Sequence, residues 1–369
     1  MALVTKPLLA IAIAVTATAP CLWDSDTLDT ELRGLPDAFD LVVGRWHRHG
    51  DAYYQERVDR LAGRSDLALA EFDDLAVACE HLDRRDDAIA AMQAKAAVLA
   101  TAPDEEHRYR YHANLGTFFA HAGRFDEALV ELRRAVAINP DAHFGREVFQ
   151  IELIEYVAAA KADPVLWTES SFLRHAGYRL GSYSQHIALP DISSDGQREL
   201  SWERAYEGVG GMLRFGGLEG PELYRTLGEL FLEKGHLNLA WWAFGHAIER
   251  GHPARQLLQQ AQAQLEAHWD DARPHDDTGH VNPTAEDYVR ARADADRWLA
   301  VFQRAEGDAI ARGDDVTTDA ALRELLAIAD RAVPRSIAQP TSWRKATMWS
   351  LIAASLLVLV VLLRLRSRA

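Results

Sequence analysis

The sequence predicts an all-α fold: paired helices repeated along the chain, flanked by further helices, with one apolar helix near the C-terminal end. Three observations predict it. Large apolar residues recur three and four positions apart through most of the chain, the spacing of one helix face. A leucine on one helix is followed thirteen residues later by an alanine on the next, at 75 and 88, 115 and 128, and 227 and 240, and recurrence at fixed spacing marks a structural repeat. Residues 346–363 form an uncharged run close to the ~20 residues that cross a bilayer core. With 48% hydrophobic and 26% charged residues, the 369-residue chain has a globular composition that suits two ordinary domains or one elongated array. A formal net charge of −15 excludes a nucleic-acid surface, because phosphates would be repelled.

In chain order, residues 1–19 read as a secretory signal: Lys6 precedes the short apolar run "LLAIAIAVTATA", which ends in small residues. Residues 20–66 form a helical lead-in, with Pro36 at one helix start and Asp51 as the cap of another. Asp24, Asp26 and Asp29 in "CLWDSDTLD" resemble the aspartate-first motif of phosphotransferases only loosely, since Thr27 is one place early and no strand precedes them; they are expected as a helix-start cluster. Two cysteines cannot form a disulfide framework. Lipidation of Cys21 and a Cys21–Cys79 disulfide both stay open, and Cys79 is expected as a buried apolar contact.

Residues 67–142 contain two helical hairpins and 221–253 a third. In the second copy His112, Leu115, Gly116 and Phe119 share one helix, Gly123 turns the chain, and Ala128, Leu132 and Ala135 follow before Pro140. The third repeats this with Tyr224, Leu227, Gly228, Phe231, Gly235, Ala240, Phe244 and Ala247 before Pro253. A weaker first copy has Phe72, Leu75, Ala76, Cys79, Ala88 and Met92, with Asp83 at the turn. Gly116, Gly228, Ala128 and Ala240 leave space where antiparallel backbones approach, and a turn glycine suits a left-handed helix end. This pattern resembles the tetratricopeptide repeat (TPR) family, over roughly 100 residues of the chain. The resemblance implies an open helical solenoid whose concave face binds peptides or extended protein segments.

On that face the expected lining is first-helix residues outside the packing stripe: Arg110, Ala113, Asn114, Thr117 and His121 from the second copy, and Arg225, Glu229 and Glu233 from the third. Asp73, Glu80 and His81 would come from the first. Their acidity predicts a neutral or basic partner segment. Residues 143–220 add helices, including a degenerate half-repeat in "GREVFQIELIEYVAAA", and a long loop over 178–197. The glycines of "GVGGMLRFGG" serve close packing, and Gly216 and Gly217 a turn, because no lysine follows them to bind phosphate. Residues 254–333 supply three helices that cover the end of the array, and 334–345 a linker to the membrane.

Trp349 suits the interface of the span at 346–363. Arg364, Arg366 and Arg368 in the tail 364–369, against Arg344 and Lys345 before the span, favour a cytoplasmic C-terminus. The chain therefore reads as a single-pass protein of the cytoplasmic membrane with most of its residues outside, periplasmic or external. No catalytic motif, cofactor motif or paired-cysteine metal spacing is present, so a non-catalytic interaction scaffold is expected. The alternative is a metal-dependent or enzyme-associated envelope protein using His268, His275 and His280.

Overall fold

The structure, a computed structural model, describes residues 22–27, 34–140, 145–179, 198–216, 220–271 and 282–337. The predicted signal, Cys21, Asp29, Gly217, His275, His280 and the predicted span at 346–363 lie outside these residues. Among the described residues no helix is long and apolar enough to cross a membrane.

The chain is all-α. Two lead-in helices, α1 (Ala38–Val43) and α2 (Asp51–Leu61), precede the hairpins α3 (Leu69–His81) with α4 (Arg85–Thr101) and α5 (Glu105–His121) with α6 (Phe125–Ile138). Next come α7 (Arg146–Ala162), the single turns α8 (Leu166–Glu169) and α9 (Phe172–His175), and α10 (Trp202–Phe215). The hairpin α11 (Pro221–Glu233) with α12 (Leu237–Glu249) is followed by α13 (Arg255–Asp271), α14 (Ala285–Ala311) and α15 (Asp319–Ala332). Two-residue strands, β1 (Tyr178–Arg179) and β2 (Arg198–Glu199), pair in parallel at the two ends of the predicted long loop.

Capping explains several helix starts. Asp37, one residue after Pro36, accepts the Phe39 N–H, and Ser201, Thr284 and Thr318 cap α10, α14 and α15 in the same way. Asp51 is the first residue of α2 rather than its cap, which is Gly50; its carboxylate still favours the helix N-terminus. The three hairpins turn identically. The N–H groups of Arg84, Arg124 and His236 reach back five residues to the carbonyls of Cys79, Phe119 and Phe231 at 2.8, 2.8 and 2.9 Å. The residue before each has a positive φ: 60° at Asp83 and 74° at both Gly123 and Gly235.

Within the hairpins, Ala128, Leu132, Tyr224, Leu227, Phe231, Ala240 and Phe244 are buried, as is Leu115, while Phe119 is partly covered. A Cβ on Gly116 would stand 2.7 Å from Leu132, and one on Gly228 only 2.3 Å from the Phe244 ring. The glycines of α10 act similarly: a Cβ at Gly208 would meet the Phe149 ring of α7 at 2.4 Å, and one at Gly211 would meet Arg146 at 2.6 Å. Thus α7 and α10 stack between the second and third hairpins and join them through packed helices.

The two ends of the chain then meet. Helix α1 packs on α12 and α14, and α2 packs on α14. His246 of α12 contacts the Val42 carbonyl at 2.7 Å, Arg292 of α14 donates to Val43, and Arg45 donates to the Val333 carbonyl at 2.7 Å. Helix α13 packs along α12, and α14 crosses back to the lead-in helices while its Tyr288 stacks on Trp242 of α12 at 5.6 Å. The open array implied by the family resemblance is therefore replaced by one whose ends are tied together.

Candidate functional site

Equivalent positions of two successive first helices hold residues 22–27 of the chain itself. Asn114 of α5 accepts the Trp23 N–H at 2.7 Å and donates to the Trp23 carbonyl at 2.9 Å. Forty residues earlier, at the same place in the first repeat, Asp74 of α3 accepts the Ser25 N–H at 2.8 Å and its hydroxyl at 3.1 Å. One side chain from each of the first two repeats thus holds the backbone on either side of Asp24, where the chain bends into a helical turn. The Trp23 indole donates to Glu147 at 3.3 Å, and Glu147 also accepts from the Tyr109 hydroxyl at 2.6 Å. Beneath them Lys95 is fully buried against both oxygens of Asp73, at 2.7 and 2.6 Å, and Asn114 donates to the same carboxylate. Lys95 occupies the stripe position that is Ala135 or Ala247 in the other copies. A buried ammonium is costly unless paired, and Asp73 pairs it.

The third repeat does the same with charge. Glu222 of α11 accepts the Phe172 N–H at 2.9 Å, Glu229 accepts the Ser171 hydroxyl at 2.6 Å, and Arg225 donates to the Trp167 carbonyl at 2.5 Å. Arg225 and Arg174 both pair with Glu229 at 3.1 Å, so the segment around α8 and α9 is fastened by a buried network.

The predicted groove is consequently not open. Asn114, Thr117, Arg225 and Glu229 are buried, and so are Ala113, Asp73 and Glu80. Thr117 accepts from Gln150 at 3.2 Å, and the His121 side chain is 1% exposed against Glu80 at 2.6 Å. Arg110 lies along its own helix on Glu106, and Glu233 is half-buried at the end of α11. The physical reason is that polar first-helix positions a solvated groove would leave free are satisfied within the fold, by internal segments or by groups on the first helices themselves. Asp24 does start a helical turn, accepting the Thr27 N–H at 2.8 Å, but it is buried rather than solvated.

A cavity of about 210 Å³ opens at the first repeat, where residues 22–27, the loop between α1 and α2, α3 and the end of α10 converge. One wall carries Asp24, Asp26, Tyr54 and His81; the other carries Trp46, Arg48, Arg214 and Phe215. Burial, reinforced by Asp26, pushes the Asp24 carboxyl up to about 7. For Asp26 burial acts in the same upward sense, but Arg57, His49 and the Tyr53 hydroxyl outweigh it and hold the group below its usual range. His81 stacks on Tyr54 at 4.0 Å, and burial together with the neighbouring His121 and His49 lowers it to about 3, so it is neutral. His49 stacks on Tyr53 at 3.8 Å and contacts Glu306 at 2.5 Å, which ties the cavity to α14.

Arg57, Trp46, His47, His49 and Arg214 did not stand out in the sequence, because they lie in the helical lead-in and in the helix before the third hairpin and match no site motif. Among the described residues no group of three or more His, Cys, Asp or Glu is placed to hold a metal ion. His268 lies in the last turn of α13, away from these walls. No protein-family model matches the chain, and neither a curated protein nor a solved structure matches it.

Proposed function

We propose that the protein is a non-catalytic interaction scaffold: a TPR-type helical solenoid displayed outside the cytoplasmic membrane on a single C-terminal span. One observation supports this reading above the others. Asn114 and Asp74, equivalent positions one repeat apart, hold the backbone at Trp23 and Ser25, so the first helices have the spacing and chemistry to clamp a polypeptide backbone. In this chain the clamp carries an internal occupant, and a partner segment would take the same positions when residues 22–27 leave them. The test is in-cell cross-linking with mass spectrometry on the full-length chain and on Trp23→Ala, which loosens the occupant without touching the clamp. The expected result is a set of envelope partners captured more strongly by Trp23→Ala. Absence of any specific partner from both forms would overturn the scaffold reading, and unchanged capture would move the interface from the concave face to the outer one.

A further inference from the structure

We infer that the cavity at the first repeat binds a free α-amino acid with an apolar side chain, its ammonium against Asp24 and Asp26 and its carboxylate against Trp46, Arg48 and Arg214. This goes beyond the scaffold reading and does not depend on it.

The acidic end carries a surplus of negative charge. A single guanidinium, that of Arg57, serves three carboxylates: Asp24 at 2.9 Å, Asp26 at 2.8 Å and Asp74 at 4.0 Å. Arg57 and Asp24 are each 4% exposed as side chains, whereas the Asp26 side chain is 23% exposed and can be reached from the cavity. A ligand cation relieves that surplus.

The basic end is different in kind. Arg48 and Arg214 both lie against the Trp46 ring, at 4.2 and 4.9 Å from its centre, and Arg214 donates to the His47 carbonyl at 2.7 Å. Burial lowers Arg48 only to about 10, so it remains a cation at neutral pH. Trp46 is 4% exposed, and its indole N–H has no acceptor among the described residues. A buried donor left unsatisfied costs about 1–3 kcal/mol, and a carboxylate oxygen is the acceptor two adjacent guanidiniums would select.

The charges acting most on Asp24 are not the ones acting most on Arg48: Asp24 responds to Asp26, Arg57 and Asp74, while Arg48 responds to Tyr224, Arg250, Arg292 and Asp296. A ligand carrying both charges is therefore favoured over one carrying either. Between the ends, Leu22, Val77, Leu213 and Phe215 form apolar walls. The volume of about 210 Å³ is below the ~300–1,000 Å³ of sites for drug-sized ligands. At ~30 Å³ per water it holds about seven waters, the scale of one amino acid.

The experiment is isothermal titration calorimetry on the full chain in detergent micelles, with leucine, leucinamide and N-acetylleucine as probes. Leucinamide lacks the carboxylate and N-acetylleucine the ammonium, so the series separates the two ends on the wild-type protein. The expected result is leucine binding in the millimolar range or tighter, with each analogue at least tenfold weaker. Asp26→Asn is expected to bring leucine down to the level of N-acetylleucine, and Arg214→Met to that of leucinamide. No leucine binding at tens of millimolar, or either analogue binding as tightly as leucine, would overturn the assignment. Val130→Thr, at an exposed position outside the cavity walls, is the folded control and should retain the order of the three probes.

Discussion

The first and third hairpins share a turn and a helix spacing, yet they meet the problem of close approach in opposite ways. In the third, Gly228 lets α11 sit directly on the Phe244 ring, where a Cβ would be 2.3 Å away. In the first, Ala76 stands at that position against Met92, both fully buried. An unbranched thioether adapts around one extra methyl group where a planar ring cannot. The same contrast extends to chemistry. The third hairpin keeps the apolar stripe intact, whereas the first gives up stripe positions to Lys95 and Cys79 and carries Asp73, Asp74 and His81 beside the cavity. A repeat departs from its own pattern where it holds something other than its neighbours.

The largest test of that comparison is the glycine. Gly228→Ala is expected to destabilise the chain by about 3 kcal/mol, because the ring must move off its packed position. Ala76→Gly at the equivalent site should cost less, about 2 kcal/mol, from helix propensity and one lost methyl contact. Thermal unfolding of both variants by circular dichroism checks the ratio, and equal losses would erase the distinction between the hairpins.

Asn114 and Asp74 occupy one position in two repeats but differ in burial. Asn114→Ala strands the Trp23 N–H and carbonyl in the interior, for an expected cost of about 2–3 kcal/mol. Asp74→Ala leaves the Ser25 groups near solvent and should cost about 1 kcal/mol or less. Hydrogen exchange at Trp23 and Ser25 reads each contact separately, with far faster exchange expected at Trp23 in Asn114→Ala.

Protonation separates the acidic cluster of the first repeat from the rest. The Asp24 pKa is raised by burial and by Asp26 to about 7 from an ordinary 3.8. The folded state therefore holds this proton more tightly than the unfolded chain does. Its stabilising contribution is complete below about pH 4 and is lost as pH rises through about 7. Asp26 is lowered and acts oppositely at more acidic pH. Stability measured by denaturant is expected to fall by roughly 1–2 kcal/mol between about pH 5 and about pH 8, less than the full shift because Asp24, Asp26 and Arg57 titrate together. Asp24→Asn should flatten that slope, and an unchanged slope would place its origin in the other raised carboxyls, Asp40, Asp74 and Glu152.

These differences also show what could be read from sequence. The helical class and the three hairpins were legible because apolar spacing is local and the turn residues repeat. The occupied groove was not, because Asn114 meets Trp23 across 91 residues through backbone hydrogen bonds that impose no residue pattern at 22–27. One signal was available: Lys95 stands where the other copies have alanine, and a charge on a buried stripe must find a partner inside. The cavity was hidden for a related reason, since its walls come from five separate stretches of chain that periodicity treats as unconnected.

The smallest expected effect concerns the turn. Asp83 is the one non-glycine residue with a positive φ among those described, at 60°, where Gly123 and Gly235 have 74°. Aspartate tolerates this region better than most residues, but its Cβ still crowds the backbone. Asp83→Gly removes that strain while loosening the unfolded chain, and the two effects oppose each other. It also removes the contact of Asp83 with Arg85, an exposed pair of little worth. The net expectation is a gain of about 0.5 kcal/mol, read as a small rise in the thermal midpoint. The reverse change, Gly123→Asp in the second hairpin, should cost about as much. If Asp83→Gly instead lowered stability, the first turn would owe its shape to the aspartate side chain, and the equivalence of the three turns would be geometric without being energetic.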